Sequence, residues 1–375
     1  MGSVKLLFWM NMPSHHQSAF FDAIRRAGLD LVVYYYGQVS AERRTLGWDT
    51  SEQLARGEKH VKPLLGSLSQ CADWRDRVHV VPGYGTPFTR KLARYLSAEG
   101  VRWVHWSEAA RSGFRWWLSY PIKRWYAGLV NKYALGAFGV SKLAREDFTR
   151  WGIRDTQIRI LPYAIEGVSE QEQQDQEIDT FVQKRGPVFI YIGRLEPLKG
   201  VDILMKAFRI AAAQCPLTYL VLVGPDLMKG EYQKLAQTLG IKEKVLFRGV
   251  LPAARIGSAL KCSDILILPS RYDGWGMVLS EAASVGKALI ATKACGGGHH
   301  LIVEGENGFR VQPNDATSLA HAMLAYTTDP GLAHRHGRRS QELFAEYTPD
   351  RNVQRLVQGL TEFASGSVHS SSSVL

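Results

Sequence analysis

The chain has 375 residues, 45% hydrophobic and 22% charged, with a formal net charge of +11. At roughly 150 residues per domain, this length allows two domains, each able to bury a core without disulfides or metals. The composition excludes disorder, collagen and coiled coil for the body of the chain. Cys71, Cys215, Cys262 and Cys295 form no CxxC pair. That argues against a zinc ribbon or thioredoxin-type motif and predicts buried thiols in a reducing, cytoplasmic setting. No apolar run reaches the roughly 18 residues that span a bilayer. The opening MGSVKLLFWMNM reads as a first strand, too short and without the cleavage site of a signal peptide. Leu6 occupies the position where a myristoylation pattern needs Ser or Thr. Charge is uneven: residues 1–170 hold 24 Lys+Arg against 15 Asp+Glu, and residues 171–375 hold 22 against 20, so +9 and +2 make up the +11. A basic first half predicts an anionic partner.

The first half alternates strand and helix. Short apolar segments at 4–10, 31–36, 78–81, 101–106 and 137–141 predict strands, with helices between them at 89–98 and 141–151. Such alternation implies a parallel sheet with helices on its faces. Residues 166–186 are acidic and Gln-rich without apolar period, which predicts a partly helical linker. A second series follows, with strands at 188–193, 217–223, 245–247, 265–269, 288–291 and 308–311. Its helices are predicted at 201–215, 231–239, 252–262 and 278–285. The near-continuous apolar strands suit a sheet buried on both faces. The predicted architecture is α/β, two Rossmann-like doubly wound domains facing a cleft. The first domain spans 1–168, the linker 169–186 and the second domain 187–345. A helix at 346–364 is expected to pack back on the first domain, and 365–375 is expected to be disordered.

Three patterns in the second half fall at strand-to-helix junctions, where open α/β sheets bind ligands. The first is Gly193-Arg194-Leu195-Glu196-Pro197-Leu198-Lys199-Gly200. It sets two cations beside a helix N-terminus, a setting that fits a diphosphate. The second is Pro269-Ser270-Arg271-Tyr272-Asp273-Gly274-Trp275-Gly276, with Glu281 eight residues after Asp273. A helix starting near Gly276 puts Glu281 on its second turn and Asp273 in the loop before it. Gly274 and Gly276 let backbone N–H groups approach a ligand. The third is Cys295-Gly296-Gly297-Gly298-His299-His300, again glycine-rich after a strand. Adjacent histidines point apart and no acid is paired with them by spacing, so no metal is expected.

These segments resemble the nucleotide-sugar-binding half of retaining glycosyltransferases of the GT-B fold, and more narrowly glycosyltransferase family 4 (group 1). The resemblance is carried by GRLEPLKG, PSRYDGWGMVLSEAASVGKALIAT and GGGHHLIVEGENGF, then Asp315, and covers about residues 186–330. It extends weakly to Val140-Ser141 and to residues 160–165. It implies that Arg194 and Lys199 bind the donor diphosphate and that Asp273 stands at the first acidic position of an E-x7-E motif, near the donor sugar. Glu281 would take the ribose hydroxyls, and backbone groups at Gly193, Gly274, Trp275, Gly276, Gly297 and Gly298 would line the donor. Two departures stand out. The first acid is Asp, one methylene shorter than Glu. Met12-Pro13-Ser14-His15-His16-Gln17 replaces the family's Gly-rich first loop.

By the same resemblance a UDP- or GDP-sugar is a substrate, no cofactor is needed, and the leaving phosphate helps to take the acceptor's proton. The absence of an Asp-x-Asp pattern agrees with metal independence. His105, at the end of the strand over 101–106, is the candidate for a contact to the donor sugar. Glu108, His15 and His16 are acceptor-side candidates. Residues 102–132 combine Arg102, Arg111, Arg115, Lys123, Arg124 and Lys132 with one acid, Glu108, and hold five of the ten Trp. That composition predicts peripheral docking on an anionic inner leaflet, where a lipid-linked acceptor would sit. No nucleic-acid motif accompanies it. The predicted function is glycosyl transfer to a glycan or lipid-linked acceptor in bacterial surface polysaccharide or glycolipid assembly, lipopolysaccharide included. The alternatives are an epimerase-like GT-B protein and a membrane adaptor with a dead site. No GxGxxG follows the first strand, which argues against a Rossmann dehydrogenase.

Overall fold

The computed structural model describes residues 4–39, 54–111, 113–168, 174–182, 186–329 and 331–368. The chain divides into two compact units. Unit 1 comprises Met1–Ile165 and Pro349–Leu375, and unit 2 comprises Glu166–Thr348. No helix among the described residues is long and apolar enough to cross a membrane.

Unit 1 carries the strands β1 (Lys5–Met10), β2 (Asp30–Tyr35), β3 (Glu58–His60), β4 (Val78–Val81), β5 (Trp103–Ser107), β6 (Gly136–Gly139) and β7 (Ile158–Ile160). They form one parallel sheet in the order β3-β2-β1-β4-β5-β6-β7. Residues 6–10 of β1 are buried on both faces, as a sheet covered by helices requires. Thr86 caps the helix Pro87–Ala98 by accepting from the Thr89 N–H, and Pro87 opens its first turn. This helix therefore starts before the predicted residue 89. The helix Pro349–Val368 completes unit 1. Asn352 donates to the Pro162 carbonyl, Arg159 pairs with Glu362, and Phe363 packs on Phe138 at 5.2 Å between rings. The helix runs past the expected end at 364, and residues 369–375 lie outside the described residues.

Unit 2 carries β8 (Val188–Ile192), β9 (Tyr219–Val223), β10 (Val245–Gly249), β11 (Ile265–Leu268), β12 (Ala288–Thr292) and β13 (Gly308–Val311). The sheet is parallel, in the order β10-β9-β8-β11-β12-β13. Strand order reverses between β8 and β11, which is the ligand-binding switch point of a doubly wound sheet.

The segment 169–186, expected to be a partly helical linker, belongs to unit 2. Residues 174–182 fold onto unit 2 as a helix, Gln176–Val182, with Ile178 and Val182 buried. Asp175 is buried because its carboxylate has two uses. It accepts Nε and Nη2 of Arg248 at 3.0 Å each, and it accepts the Ile178 N–H at the helix start. This acid of the Gln-rich stretch is thus a cap and an ion-pair partner. Residues 169–173 and 183–185 lie outside the described residues.

Candidate active site

The site lies at the carboxyl ends of β8, β11 and β12 in unit 2. After β8 the chain turns through Gly193–Gly200 and enters the helix Val201–Gln214. The buried Tyr191 hydroxyl donates to the Arg194 carbonyl at 2.8 Å, and the Arg194 guanidinium pairs with Glu196 at 2.9 Å. The turn Pro197–Lys199 ends on Gly200, whose φ of +70° is left-handed. A Cβ at Gly200 would stand 2.1 Å from the Pro269 carbonyl oxygen, so only glycine lets this turn lie against the loop after β11.

Lys199 is held at that junction. Its Nζ donates to Asp273 Oδ2 at 2.7 Å, and both side chains are largely buried, 19% and 16% exposed. The pair joins two predicted residues that are 74 positions apart. An ammonium has three donors, so Lys199 can hold Asp273 and still offer protons to an anion. Arg271 braces the same junction. Its guanidinium grips Asp202 at 2.8 Å on both oxygens, donates to the Pro197 carbonyl, and reaches Asn314 Oδ1 at 2.6 Å. Sequence reasoning gave Arg271 no role. It sits inside a quoted motif, but its partners are remote in the chain.

The segment 273–276 is stitched to the loop after β12. Asp273 N–H donates to the Ala294 carbonyl, Gly296 N–H to Asp273, and Gly297 N–H to Trp275 at 2.7 Å. Gly276 has φ +83°, and a Cβ there would meet Leu268 at 2.5 Å and the Cys295 sulfur at 2.8 Å. The Trp275 side chain points inward: it is buried, its indole donates to Ser280 Oγ at 3.0 Å, and its ring lies against His300 and Tyr347. The backbone N–H groups of Trp275 and Gly276 have no acceptor among the described residues. The expected backbone contact by these two residues thus has free donors. Gly298 opens the short helix Gly298–Leu301. His299 Nε2 faces the Lys293 carbonyl at 2.8 Å, so that nitrogen carries the proton.

Glu281 falls on the second turn of the helix Met277–Ser284, as the spacing predicts. Its carboxyl makes no hydrogen bond or ion pair to any described residue. Burial without a partner pushes it up to about 7. Such a carboxylate is poised to accept hydroxyl donors from a ligand.

The unit 1 candidates are placed differently. His105 is corrected: it is fully buried in β5, with Nε2 2.8 Å from Ser107 Oγ and Nδ1 3.3 Å from the Tyr126 hydroxyl. Phe148 and Trp151 close over it, and burial lowers it to about 3. It is a neutral, satisfied core histidine with no ring nitrogen left for a sugar. Glu108 follows β5 and is half-buried. His15 and His16 are the first residues of the helix His15–Arg26, after β1; their side chains lie outside the described residues.

The basic aromatic stretch divides. Trp103, Trp106, Trp116 and Tyr126 are core residues. Lys123 is corrected from surface cation to buried residue: its Nζ lies 3.9 Å from the centre of the Trp116 ring and has no hydrogen-bond partner among the described residues. Desolvation lowers it to about 8, against the attraction of Asp147. Asp147 also anchors the segment, accepting the Trp116 indole and the Ala110 N–H at 2.7 Å each. Left on the surface are Phe114, Trp117 and Leu118 at 78%, 68% and 66% exposed, followed by Ile122 and Trp125. Exposed Arg111, Arg124 and Lys132 flank them, and the Arg115 side chain lies outside the described residues.

Residues 172–343 match the family described as glycosyl transferases group 1, which places a domain of that kind in unit 2. HepE of Anabaena, solved in complex with UDP and glucose, superposes with a TM-score of 0.71 at 20% identity, over 96% of this chain and 99% of that one. At that identity the likeness establishes the fold, two Rossmann-like units of the GT-B class. The D-inositol 3-phosphate glycosyltransferase of Streptomyces avermitilis is 32% identical over 158 residues, 40% of this chain. The Vi polysaccharide biosynthesis protein VipC/TviE of Salmonella typhi is 35% identical over 150 residues, also 40% of this chain. The chain covers 34% and 24% of the lengths of those two relatives.

Proposed function

We propose that this protein is a retaining, metal-independent glycosyltransferase of the family 4 type. It moves a sugar from a UDP- or GDP-sugar to a glycan or lipid-linked acceptor in bacterial surface polysaccharide or glycolipid assembly. The observation that carries the proposal is the Lys199–Asp273 pair at the switch point of unit 2, beside the start of the helix Val201–Gln214. A diphosphate needs cations and free N–H donors, and the junction offers both.

The chemistry follows from those groups. The bond from the anomeric carbon to the diphosphate oxygen breaks, and charge grows on the leaving oxygens. Lys199 and Arg194 neutralise that charge, which is the largest electrostatic demand of the step. The acceptor oxygen bonds the anomeric carbon on the same face while its proton passes to a leaving phosphate oxygen. Asp273 and the N–H groups of Trp275 and Gly276 hold the sugar, and Glu281 accepts from the ribose hydroxyls. The test is release of UDP or GDP from a panel of nucleotide-sugars with EDTA present, with the anomeric configuration of the product read by NMR. Release without metal and a retained anomer support the proposal. Turnover that stops with EDTA overturns metal independence, and an inverted product overturns retention.

Glu281 sets a pH dependence. Hydroxyl donors favour the ionised carboxylate, so donor binding expels a proton from a group that titrates near 7 when empty. Affinity for the preferred nucleotide-sugar therefore rises from pH 6 to pH 8, by up to about tenfold per unit below the midpoint. Glu281→Gln flattens the profile. A flat profile in the unsubstituted protein removes Glu281 from the ribose site.

The exposed Phe114, Trp117 and Leu118, with basic neighbours, support docking on an anionic leaflet. Replacing all three by Ser lowers binding to phosphatidylglycerol vesicles by about a thousandfold or more, given roughly 1.5–3 kcal/mol for each large side chain buried. Donor hydrolysis without vesicles stays unchanged. Equal vesicle binding by the variant removes the docking assignment.

A further inference from the structure

Unit 1 has its own switch point. In the order β3-β2-β1-β4-β5-β6-β7, the strands diverge between β1 and β4. A cavity of about 630 Å3 opens there, at the carboxyl ends of these strands. Asn11 and Met12 follow β1, Tyr36 follows β2, and Phe88 and Lys91 stand on the first turns of the helix Pro87–Ala98. The volume lies in the range of small-molecule sites.

The lining has a definite chemistry. Phe88 is buried and its ring lies 5.2 Å from that of half-buried Tyr36. Behind Phe88 stands the Trp9 indole at 5.5 Å, so the aromatic wall is backed by core. Pro63 and Met12 extend the apolar surface. Among the described residues, Lys91 is the single cation of the lining, no carboxylate lines the cavity, and the exposed Lys91 ammonium has no hydrogen-bond or ion-pair partner. Asn11 adds an amide at the β1 edge.

We infer that this cavity binds the acceptor by an apolar body against Tyr36 and Phe88 and by one anionic group on Lys91. This deepens the glycosyl-transfer reading and rests on it for the word acceptor. The binding chemistry itself, an amphiphilic monoanion or phosphate ester, stands on the cavity alone. Two sources present it: a hydrocarbon phosphate, and a sugar phosphate whose C–H face stacks on the aromatic wall.

The experiment titrates the full chain with octyl phosphate below its micelle concentration, with glucose 6-phosphate and with inorganic phosphate, followed by calorimetry. The expected result is that one of the two esters binds at least tenfold more tightly than inorganic phosphate. Lys91→Ala then weakens that ester about tenfold. Gln38→Trp, an exposed lining position, blocks the cavity and weakens it likewise. The ester that binds names the source. Esters that bind no better than inorganic phosphate, or equally well to both variants, overturn the inference. UDP-sugar binding is measured on the same samples. If it persists while both esters fail, the inference falls and the proposed function stands; if it fails while an ester binds, the reverse holds.

Discussion

Lys199→Ala is expected to slow release of the nucleotide diphosphate by about 10²–10³-fold, or about 2.7–4 kcal/mol, the usual cost of removing one preorganised charge contact. In the proposed reaction Lys199 stands where charge appears on the leaving group, and the 2.7 Å contact to Asp273 fixes its position. Asp273→Asn removes that fixing charge and the proposed sugar contact together. The two effects are coupled, so the double variant loses less than the sum of the singles. Circular dichroism melts of both variants separate lost chemistry from lost folding. A Lys199→Ala protein that melts normally and turns over normally removes Lys199 from the diphosphate site.

Gly200→Ala is expected to damage both the stability of unit 2 and its candidate site. The left-handed φ of +70° disfavours any side chain, and the new Cβ would overlap the Pro269 carbonyl oxygen at 2.1 Å. Strain of this kind costs on the order of 1–3 kcal/mol before the clash is relieved. Relief requires the turn Pro197–Lys199 to leave the loop after β11, which separates Lys199 from Asp273 and loosens the grip of Arg271. Gly240→Ala is the control. Gly240 has φ +66° in the same unit, yet nothing lies within 4 Å of its added Cβ. The control loses a few degrees of melting temperature and keeps full activity; Gly200→Ala loses more stability and most turnover. Equal melting of the two variants contradicts the close approach of these loops.

The unit 2 loops were legible because each follows an apolar run that ends in glycine or proline: Gly193 after β8, Pro269 after β11, and Gly296 beyond β12. Those residues mark strand ends, and strand ends are where doubly wound sheets bind ligands. Arg271 was not legible, since Asp202 and Asn314 meet it only in the folded sheet. His105 misled for a related reason. A polar residue near a strand end suggests a site, but both faces of a parallel sheet are covered, and residue 105 points into Tyr126, Phe148 and Trp151. Lys123 misled because a lysine between tryptophans has the composition of a membrane face, whereas its stem runs inward beneath Trp116. The strands β3 (Glu-Lys-His) and β7 (Ile-Arg-Ile) have three residues each, too few to set a readable period. The helix Pro349–Val368 was visible from Val353, Leu356, Val357 and Leu360; Val353, Leu356 and Leu360 are buried in unit 1, and Val357 is exposed.

Unit 2 is expected to bind a nucleoside diphosphate through Lys199. Calorimetric titration with UDP and with GDP, in EDTA, on the full chain and on Lys199→Ala, tests it most directly. One of the two nucleotides is expected to bind without metal, and Lys199→Ala to weaken it at least tenfold, as follows from loss of a charge-assisted hydrogen bond of about 1.5–3 kcal/mol. Binding by neither nucleotide, or equal binding by the variant, contradicts it.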